Sequence, residues 1–451
     1  MYNRIMTLFA GDVLSLFVAL YVTFTLGVKL MSLPEGLLST ANIAVIAFTV
    51  FLSSTILEIY SQRRIIFTKE LLTKSIFAAL LSIGLLSLAF YLLETPAFER
   101  PFVVPAALVA FFLLQFTWQA IYRSMELHPR IKQRILVFGS GEIAQRIRNL
   151  LTDGPQRYEL LGFVPSEDSG INECDPLFRG VAADLPLLAR ELRAQSIVVG
   201  LEDRRGKLPL KQLMACKFAG IDIVEAPIFF ESFMNKVLVE NISPSWFIYG
   251  SGFRVTALKR ACKRCFDLLL VAPSLLLILP VFPILALLIK LDSAGPAFYT
   301  QIRVGENNKT FRLIKFRSMR QDAEAMGAKW SEENDPRITR MGRFMRKTRL
   351  DEVPQLFNVL LGHMSLVGPR PERPVFIDEL KASIPFYDER HIIKPGITGW
   401  AQVCYPYGSS VEDALEKLRY DLFYIKHLSL LFDIRIILKT INVVIMGKGA
   451  R

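Results

Sequence analysis

Residues 340–370, RMGRFMRKTRLDEVPQLFNVLLGHMSLVGPR, are the stretch around which the rest of the chain is read. Arg340, Arg343 and Arg346 recur every third residue, so on a helix they are expected to share one face, and Lys347 and Arg349 extend the same cluster. Asp351 and Glu352 follow at once, ahead of an apolar pattern of Val353, Leu356, Phe357 and Leu360 that reads as one helix ending at Gly362. Two carboxylates at a helix N-terminus, facing a wall of guanidinium groups, are expected to stay ionised at neutral pH because dipole and cations both favour the charged form. Asp351 is then usable as a nucleophile or a metal ligand. Arginine forks bind two phosphate oxygens at once, and Mg²⁺ sits between one or two carboxylates and substrate phosphates, so cations beside an acid pair point to diphosphate chemistry. Taken alone, the stretch fits a capped surface helix with solvated salt bridges equally well.

Working outward, residues 298–304 and 311–319 read as two strands joined by the turn-rich stretch 305–309. Side chains alternate along a strand, so Lys315 and Arg317 fall on one face. The apolar run 268–289 is interrupted by Pro273, Pro280 and Pro283, which predicts a kink or break near Leu279-Pro280. Both flanks of this run are basic, which favours a bent hairpin entering and leaving the same membrane leaflet over a straight crossing. On the other side, Gly368-Pro369-Arg370-Pro371 fixes a rigid bend that presents Arg370. Residues 400–410 read as an irregular, aromatic-rich loop suited to a ligand pocket. The tail 420–446 mixes apolar residues with Lys426, Arg435 and Lys439, a pattern that suits the membrane interface and that core packing explains in part.

Seven motifs stand in order along this part of the chain: Lys315-Phe316-Arg317-Ser318-Met319, Asn334-Asp335-Pro336-Arg337, Leu350-Asp351-Glu352-Val353-Pro354-Gln355-Leu356, Asn358-Val359, Gly362, Met364-Ser365-Leu366-Val367-Gly368-Pro369-Arg370-Pro371 and Lys394-Pro395-Gly396-Ile397-Thr398-Gly399-Trp400. Together they resemble the bacterial sugar transferase family, the polyprenyl-phosphate hexose-1-phosphate transferases. The N-terminal part resembles, more loosely, the large members that begin exopolysaccharide or O-antigen assembly. The resemblance implies transfer of hexose-1-phosphate from a UDP-sugar to polyprenyl (undecaprenyl) phosphate at the cytoplasmic face, through a covalent aspartyl-phosphosugar intermediate and with Mg²⁺ as cofactor. It makes Asp351 the nucleophile and Glu352 a metal-positioning group or acceptor base. Lys315, Arg346 and Arg370 become active-site cations, and Pro280 the break of a re-entrant membrane helix. The chain departs from the family at His363, where an acidic residue is usual, and at Leu279, where a serine is common.

Composition agrees with a bilayer. The 451 residues carry a net charge of +12 with 52% hydrophobic content, and the mean hydropathy is +0.34. A basic and apolar chain suits an anionic membrane face. Nucleic acid is not expected, because the Lys and Arg residues are not interleaved with stacking aromatics in a recognisable module. Apolar runs at 8–30, with Asp12 inside it, and at 41–60, 75–93 and 102–122 are each long enough to cross a hydrocarbon core of roughly 30 Å. The first lacks a small-residue cleavage site, which argues against a signal peptide. Arg63, Arg64, Lys69 and Lys74 lie between the second and third runs, and Arg123, Arg130, Lys132 and Arg134 follow the fourth, whereas the other two loops carry one each, Lys29 and Arg100. Basic loops stay inside, so both ends of the bundle are expected to be cytoplasmic.

The segment Arg134-Ile135-Leu136-Val137-Phe138-Gly139-Ser140-Gly141-Glu142-Ile143-Ala144 reads as strand, glycine turn and helix, with further strands at 160–164, 196–200 and 221–224. The acidic residue of a dinucleotide site is not clear, since Glu167 and Asp168 lie in a polar loop. A structural or regulatory Rossmann-like domain is therefore favoured over dinucleotide binding. Cys262 and Cys265 form a CxxC without a second pair or a nearby His, and Cys174, Cys216 and Cys404 lie far apart, as in a reducing compartment.

The expected architecture is a multi-pass protein of the bacterial inner membrane. It has an α-helical N-terminal bundle (1–124), an α/β Rossmann-like middle domain (130–240), a linker (241–258) and a mixed α/β catalytic domain (259–451) anchored by a re-entrant helix over 266–290. Its partners are a UDP-sugar, polyprenyl phosphate and the bilayer, with a homo-oligomer left open. A membrane-anchored NAD(P)-dependent nucleotide-sugar dehydratase or epimerase is the rival enzyme, but its Tyr-x-x-x-Lys pattern is missing between Ile135 and Glu240. A non-enzymatic scaffold for polysaccharide export has no use for the Asp351-Glu352 pair.

Overall fold

A computed structural model describes residues 2–31, 40–57, 59–60, 68–93, 103–126, 132–139, 141–153, 158–165, 184–201, 208–242, 244–249, 252–323, 335–405, 408 and 410–445. The loop charges Arg63, Arg64, Arg100 and Arg130, the loop acids Glu167 and Asp168, Ser140, Cys174 and Asn334 lie outside these residues. The chain divides into two compact units, Met1–Phe229 and Phe230–Arg451.

The first unit begins with helices α1 (Tyr2–Met31), α2 (Thr40–Ile56), α3 (Thr68–Leu92) and α4 (Val103–Glu126). The segments 6–23 of α1, 71–92 of α3 and 104–125 of α4 are long and apolar enough to cross a membrane. The second run is also helical and apolar, but at 17 residues it is shorter than the span its sequence suggested, because the helix stops at Ile56. Asp12 is fully buried in this bundle, where one carboxylate oxygen accepts from Tyr60 Oη (2.7 Å), Gln115 Nε2 (2.7 Å) and Gln119 Nε2 (2.8 Å). A polar side chain is accommodated at such depth where donors gather around it.

β1 (Gln133–Phe138), α5 (Glu142–Asp153), β2 (Tyr158–Val164), α6 (Leu185–Glu191), β3 (Ser196–Val199), α7 (Leu210–Phe218) and β4 (Asp222–Glu225) complete the unit. The four strands form one parallel sheet in the order β2-β1-β3-β4. Near-continuous apolar strands such as Ile135–Phe138 and Ile197–Val199 are what a sheet covered on both faces requires, and all seven of those side chains are buried.

In the second unit, α8 (Ala226–Met234), which starts just before it, and α9 (Pro244–Tyr249) lead into α10 (Ala257–Ile278) and α11 (Val281–Asp292). The stretch from 241, suggested as a linker, is packed instead. Val237 and Val239 lie in the unit's main core, with Trp246, Phe247 and Phe253 against it. α10 and α11 meet at 61° across Leu279 and Pro280, the break expected from the proline. The Phe282 amide donates to the Leu279 carbonyl at 3.1 Å across it. Outward-facing Leu276, Leu277, Ile284, Leu287 and Leu291 leave the pair apolar on its exterior.

β5 (Phe298–Val304) and β6 (Thr310–Phe316) form an antiparallel hairpin through a 3₁₀ turn at Glu306–Asn308. α12 (Arg340–Thr348), a 3₁₀ turn at Leu350–Glu352, α13 (Gln355–Leu360) and β7 (Ser365–Val367) follow. α14 (Pro374–Ser383), β8 (Gly396–Thr398), α15 (Trp400–Cys404), α16 (Val411–Lys426) and α17 (Leu430–Ile445) close the unit, with β7 and β8 pairing in parallel.

Candidate active site

The acid pair is delivered by a helix that ends abruptly. Thr339 Oγ1 caps α12 by accepting from the Gly342 amide at 3.0 Å. At the other end Arg349 adopts the left-handed conformation (φ 61°), uncommon for a residue with a side chain, and turns the chain directly into the 3₁₀ turn of Leu350–Glu352. Asp351 and Glu352 therefore precede α13 in a turn of their own, with 7% and 9% exposure. Gly342 permits the rest: a Cβ there would lie 2.0 Å from the Ser318 carbonyl, so only glycine lets α12 press against the end of the β5–β6 hairpin. That contact brings Arg346 Nε to Ser318 Oγ at 3.0 Å.

The cations expected around the acids divide into two sets. Lys315, Arg346, Arg349 and Arg370 gather at the pair, whereas Arg340, Arg343 and Lys347 are exposed on the outer face of α12. The wall of guanidinium groups is thus smaller than the spacing suggested. A step of three residues falls about 60° short of a full turn, so Arg346 has drifted about 120° from Arg340.

Arg370 Nη2 binds Glu352 Oε1 at 2.7 Å, and Arg349 Nη1 lies 3.8 Å from the same oxygen. Asp351 Oδ1 is buried and has no hydrogen-bond partner among the described residues. Burial pushes Asp351 up to about 6, with the Glu352 charge adding to the rise and Lys315, Arg346 and Arg349 opposing it. The expected direction is therefore reversed, although the carboxylate is still mainly ionised at neutral pH. Burial also pushes Glu352 up, but Arg370 and Arg349 more than offset this and hold it below the usual carboxylate range. Burial lowers Lys315 to about 8, Arg303 adds to the fall, and Asp351 opposes it. The Lys315 ammonium lies 5.4 Å from the centre of the Tyr299 ring, its cross-strand partner.

The bend carrying Arg370 is pinned on several sides. Gly368 N donates to the Thr398 carbonyl and Gly396 N to the Pro369 carbonyl, both at 2.9 Å. Arg390 Nη2 donates to the Arg370 carbonyl at 3.0 Å while pairing with buried Asp421 at 2.8 Å, and Arg303 Nη1 donates to the Pro371 carbonyl at 2.9 Å. Asn358 stitches α13 to β6, accepting from Ile314 N (3.0 Å) and donating to the Arg312 carbonyl (2.7 Å). An asparagine set within the apolar helical pattern 353–360 is the sequence signal that could have pointed to that role, and the structure buries it fully. Arg390, Asp421 and Arg303 gave no local signal.

Other expected site residues lie elsewhere. Trp400 is 1% exposed, in the core, with its indole N–H on the Asn235 carbonyl at 3.0 Å, so it does not line an open loop. Residues 406, 407 and 409 of that loop lie outside the described residues. Arg317 does not share a face with Lys315 in use, because it lies beyond the strand and turns to the end of α11. Arg337 closes a bidentate pair on Asp335 (2.8 and 2.6 Å), a local stitch. Cys262 and Cys265 are free thiols, and no group of three or more His, Cys, Asp or Glu among the described residues forms a metal cage.

Residues 258–447 match the family described as bacterial sugar transferase. The UDP-N-acetylgalactosamine-undecaprenyl-phosphate N-acetylgalactosaminephosphotransferase of Aeromonas hydrophila is 48% identical over 189 residues, which cover 42% of this chain and 45% of the relative. The undecaprenyl-phosphate glucose phosphotransferase of Komagataeibacter xylinus is 34% identical over 338 residues, 71% of this chain and 60% of the relative. The exopolysaccharide production protein PSS of Rhizobium leguminosarum bv. phaseoli is 43% identical over 197 residues, 42% of this chain and 97% of the relative. The chain thus spans less than two thirds of the first two relatives' length.

Proposed function

The chain belongs to the bacterial sugar transferase family, and from that premise we propose that it transfers hexose-1-phosphate from a UDP-sugar to polyprenyl phosphate, the acceptor class in its relatives' names, as the first membrane step of exopolysaccharide or O-antigen synthesis. The observation that carries this reading is the buried Asp351, one oxygen unpartnered, beside an acid already neutralised by Arg370.

In this reading a carboxylate oxygen of Asp351 attacks the β-phosphorus of the UDP-sugar. The bond to the α-phosphate breaks, and UMP leaves with the electron pair. Lys315, Arg346 and Arg370 bind the equatorial phosphate oxygens as charge develops there, in a site where burial strengthens each contact. The phosphosugar is then held on Asp351 as an acyl phosphate, a mixed anhydride of the carboxylate and the sugar phosphate. A polyprenyl phosphate oxygen attacks the same phosphorus, the bond to Asp351 breaks, and the carboxylate is regenerated. Splitting the transfer lets donor and acceptor use one site in turn.

Mg²⁺ fits these residues. Asp351 Oδ1 is a buried oxygen without a partner, and Mg²⁺ needs only one or two carboxylates when substrate phosphates complete its shell, so the lack of a three-residue cage among the described residues is no obstacle. Asp351 and the Glu352 oxygen turned from Arg370 would hold it, and the ion would supply charge neutralisation on the diphosphate.

The bent pair α10–α11 is read as a re-entrant anchor broken at Pro280, supported by its 61° bend and apolar exterior. The first unit is read as a four-span bundle followed by a Rossmann-like domain, supported by its apolar helices and parallel sheet. Both termini of the bundle and the transfer site are then cytoplasmic, where nucleotide sugars are found. The test is UMP release by the full-length protein in vesicles containing polyprenyl phosphate, across a panel of UDP-sugars. At least one donor is expected to react, and Asp351→Asn should abolish release while inserting normally. Substantial release by Asp351→Asn removes it as the nucleophile.

A further inference from the structure

One side chain ties the end of the bent apolar helix pair to the active-site strand, and the transfer chemistry makes no use of it. Arg317 directly follows β6 and is 5% exposed. Its Nη1 donates to the Ala294 carbonyl at 2.9 Å, and its Nη2 to the Ser293 carbonyl at 2.6 Å and Ser293 Oγ at 2.9 Å, with the Ile289 carbonyl at 3.4 Å. A helix C-terminus leaves such carbonyls unpaired, and a planar fork of donors can take several at once. Gly295, at φ +115°, makes the room, since a Cβ there would lie 2.2 Å from Arg317 Nη1.

No carboxylate pairs with this guanidinium among the described residues. Burying a charge against neutral carbonyls and one hydroxyl carries a desolvation penalty that capping one helix does not demand. The adjoining contacts indicate what it serves. Asp292, the last residue of α11, accepts from the Met341 amide at the start of α12 at 2.9 Å, and Ser318, next to Arg317, accepts from Arg346 at 3.0 Å. The final turn of α11 therefore grips both elements that carry phosphate-binding cations, β6 with Lys315 and α12 with Arg346.

We propose that Arg317 is a positioning residue for the transfer: it locks the end of α11 to β6, so that an apolar acceptor chain lying against the bent helices fixes Lys315 and Arg346 at the transferring phosphate. The proposal rests on the function read above. Remote binding energy from the acceptor's hydrocarbon tail is then realised in kcat rather than in KM alone. Leu276, Leu277 and Ile284 give such a tail its apolar surface.

The experiment uses the full-length protein in phospholipid vesicles and compares wild type with Arg317→Lys, Arg317→Met and Ser293→Ala. UMP release is followed with a long polyprenyl phosphate and with a two-isoprene phosphate. Arg317→Lys should lower kcat with the long acceptor by about tenfold to a hundredfold while donor KM stays within about twofold. The wild-type preference in kcat for the long chain should shrink in that variant, and Ser293→Ala, which removes one of the four acceptors, should fall between. Unchanged kcat in normally melting Arg317→Lys overturns the proposal. So does an equal loss with long and short acceptors, which makes Arg317 a helix cap only. Should Arg317→Met fail to fold, the Lys and Ser293 variants carry the same decision. Wild-type protein that releases no UMP from any donor overturns the functional reading instead, a result separate from any difference among variants.

Discussion

Asp351 and Glu352 are neighbours with opposite electrostatic fates, and the difference assigns their work. Glu352 keeps its charge through Arg370 at 2.7 Å, whereas Asp351 is raised chiefly by burial to about 6. A nucleophile must be unprotonated, so kcat/KM should fall as pH drops through about 6. It should fall again above about 8, where Lys315 loses the charge that the proposed transfer uses to bind phosphate. A pH profile flat from 5 to 9 would remove both roles. Arg370→Ala should lower kcat/KM by about 3–4 kcal/mol, because it deletes a phosphate contact and strands the buried Glu352 charge. Exposed Arg340→Ala and Arg343→Ala should change it by less than about twofold. The same steady-state assay reads all three, and an equal loss in each would restore the undivided cation wall. His391 supplies a pH effect on stability. Burial first, then Arg390, lowers it to about 4 from 6.5. A depressed histidine favours the neutral form in the fold, so its contribution is present above pH 6.5 and is lost as pH falls toward 4. His391→Gln should flatten the pH dependence of the unfolding free energy across that window, by an amount on the order of 2–3 kcal/mol, as read by denaturant titration at pH 4 to 7.

At the level of elements, a two-stranded hairpin such as β5–β6 is marginal by itself, and Asn358 compensates by pairing the free edge of β6. Asn358→Leu keeps the helix but leaves the Ile314 N–H and the Arg312 carbonyl without their partner. A loss of about 2–4 kcal/mol in unfolding free energy is expected by denaturant titration, and a loss under about 0.5 kcal/mol would make the stitch ornamental. The hairpin, the break at Pro280 and the turn at Gly362 were legible in the sequence because each depends on local rules: alternation, a missing N–H and a positive φ. The end of α12 was not, because nothing in Lys347-Thr348-Arg349 announces a left-handed arginine; the reversal is imposed by what α12 packs against. Trp400 was misread for a similar reason. An aromatic after Gly399 suits a pocket as well as a core, and only the Asn235 carbonyl, far away in sequence, decides between them.

For the whole molecule, the family match covers residues 258–447 but does not mark where the folding unit begins. It begins at residue 258 and so leaves out the segment from Phe230 to Thr256. In this chain that segment is built into the unit. Glu231 accepts from Lys426 and His427 at 2.7 Å each, Val237 N donates to the Arg419 carbonyl at 3.0 Å, and Lys236 pairs with Glu416. Lys426 also lies 4.4 Å from the Trp246 ring centre. Val237 and Val239 meanwhile cover the core around Leu418 and Leu422. Removing apolar side chains from a buried face exposes both surfaces, at roughly 25 cal/mol per Å² of apolar area, so the loss for several such residues is several kcal/mol. A truncation beginning at Ala226 should therefore melt as the corresponding transition of the full chain does and should keep UMP release. One beginning at Ala257, at the start of the family match, should melt at least about 10 °C lower and bind hydrophobic dye. If the two shorter chains melt together, the segment is only a tether, and the break in the fold belongs at the end of α9 rather than at Phe230.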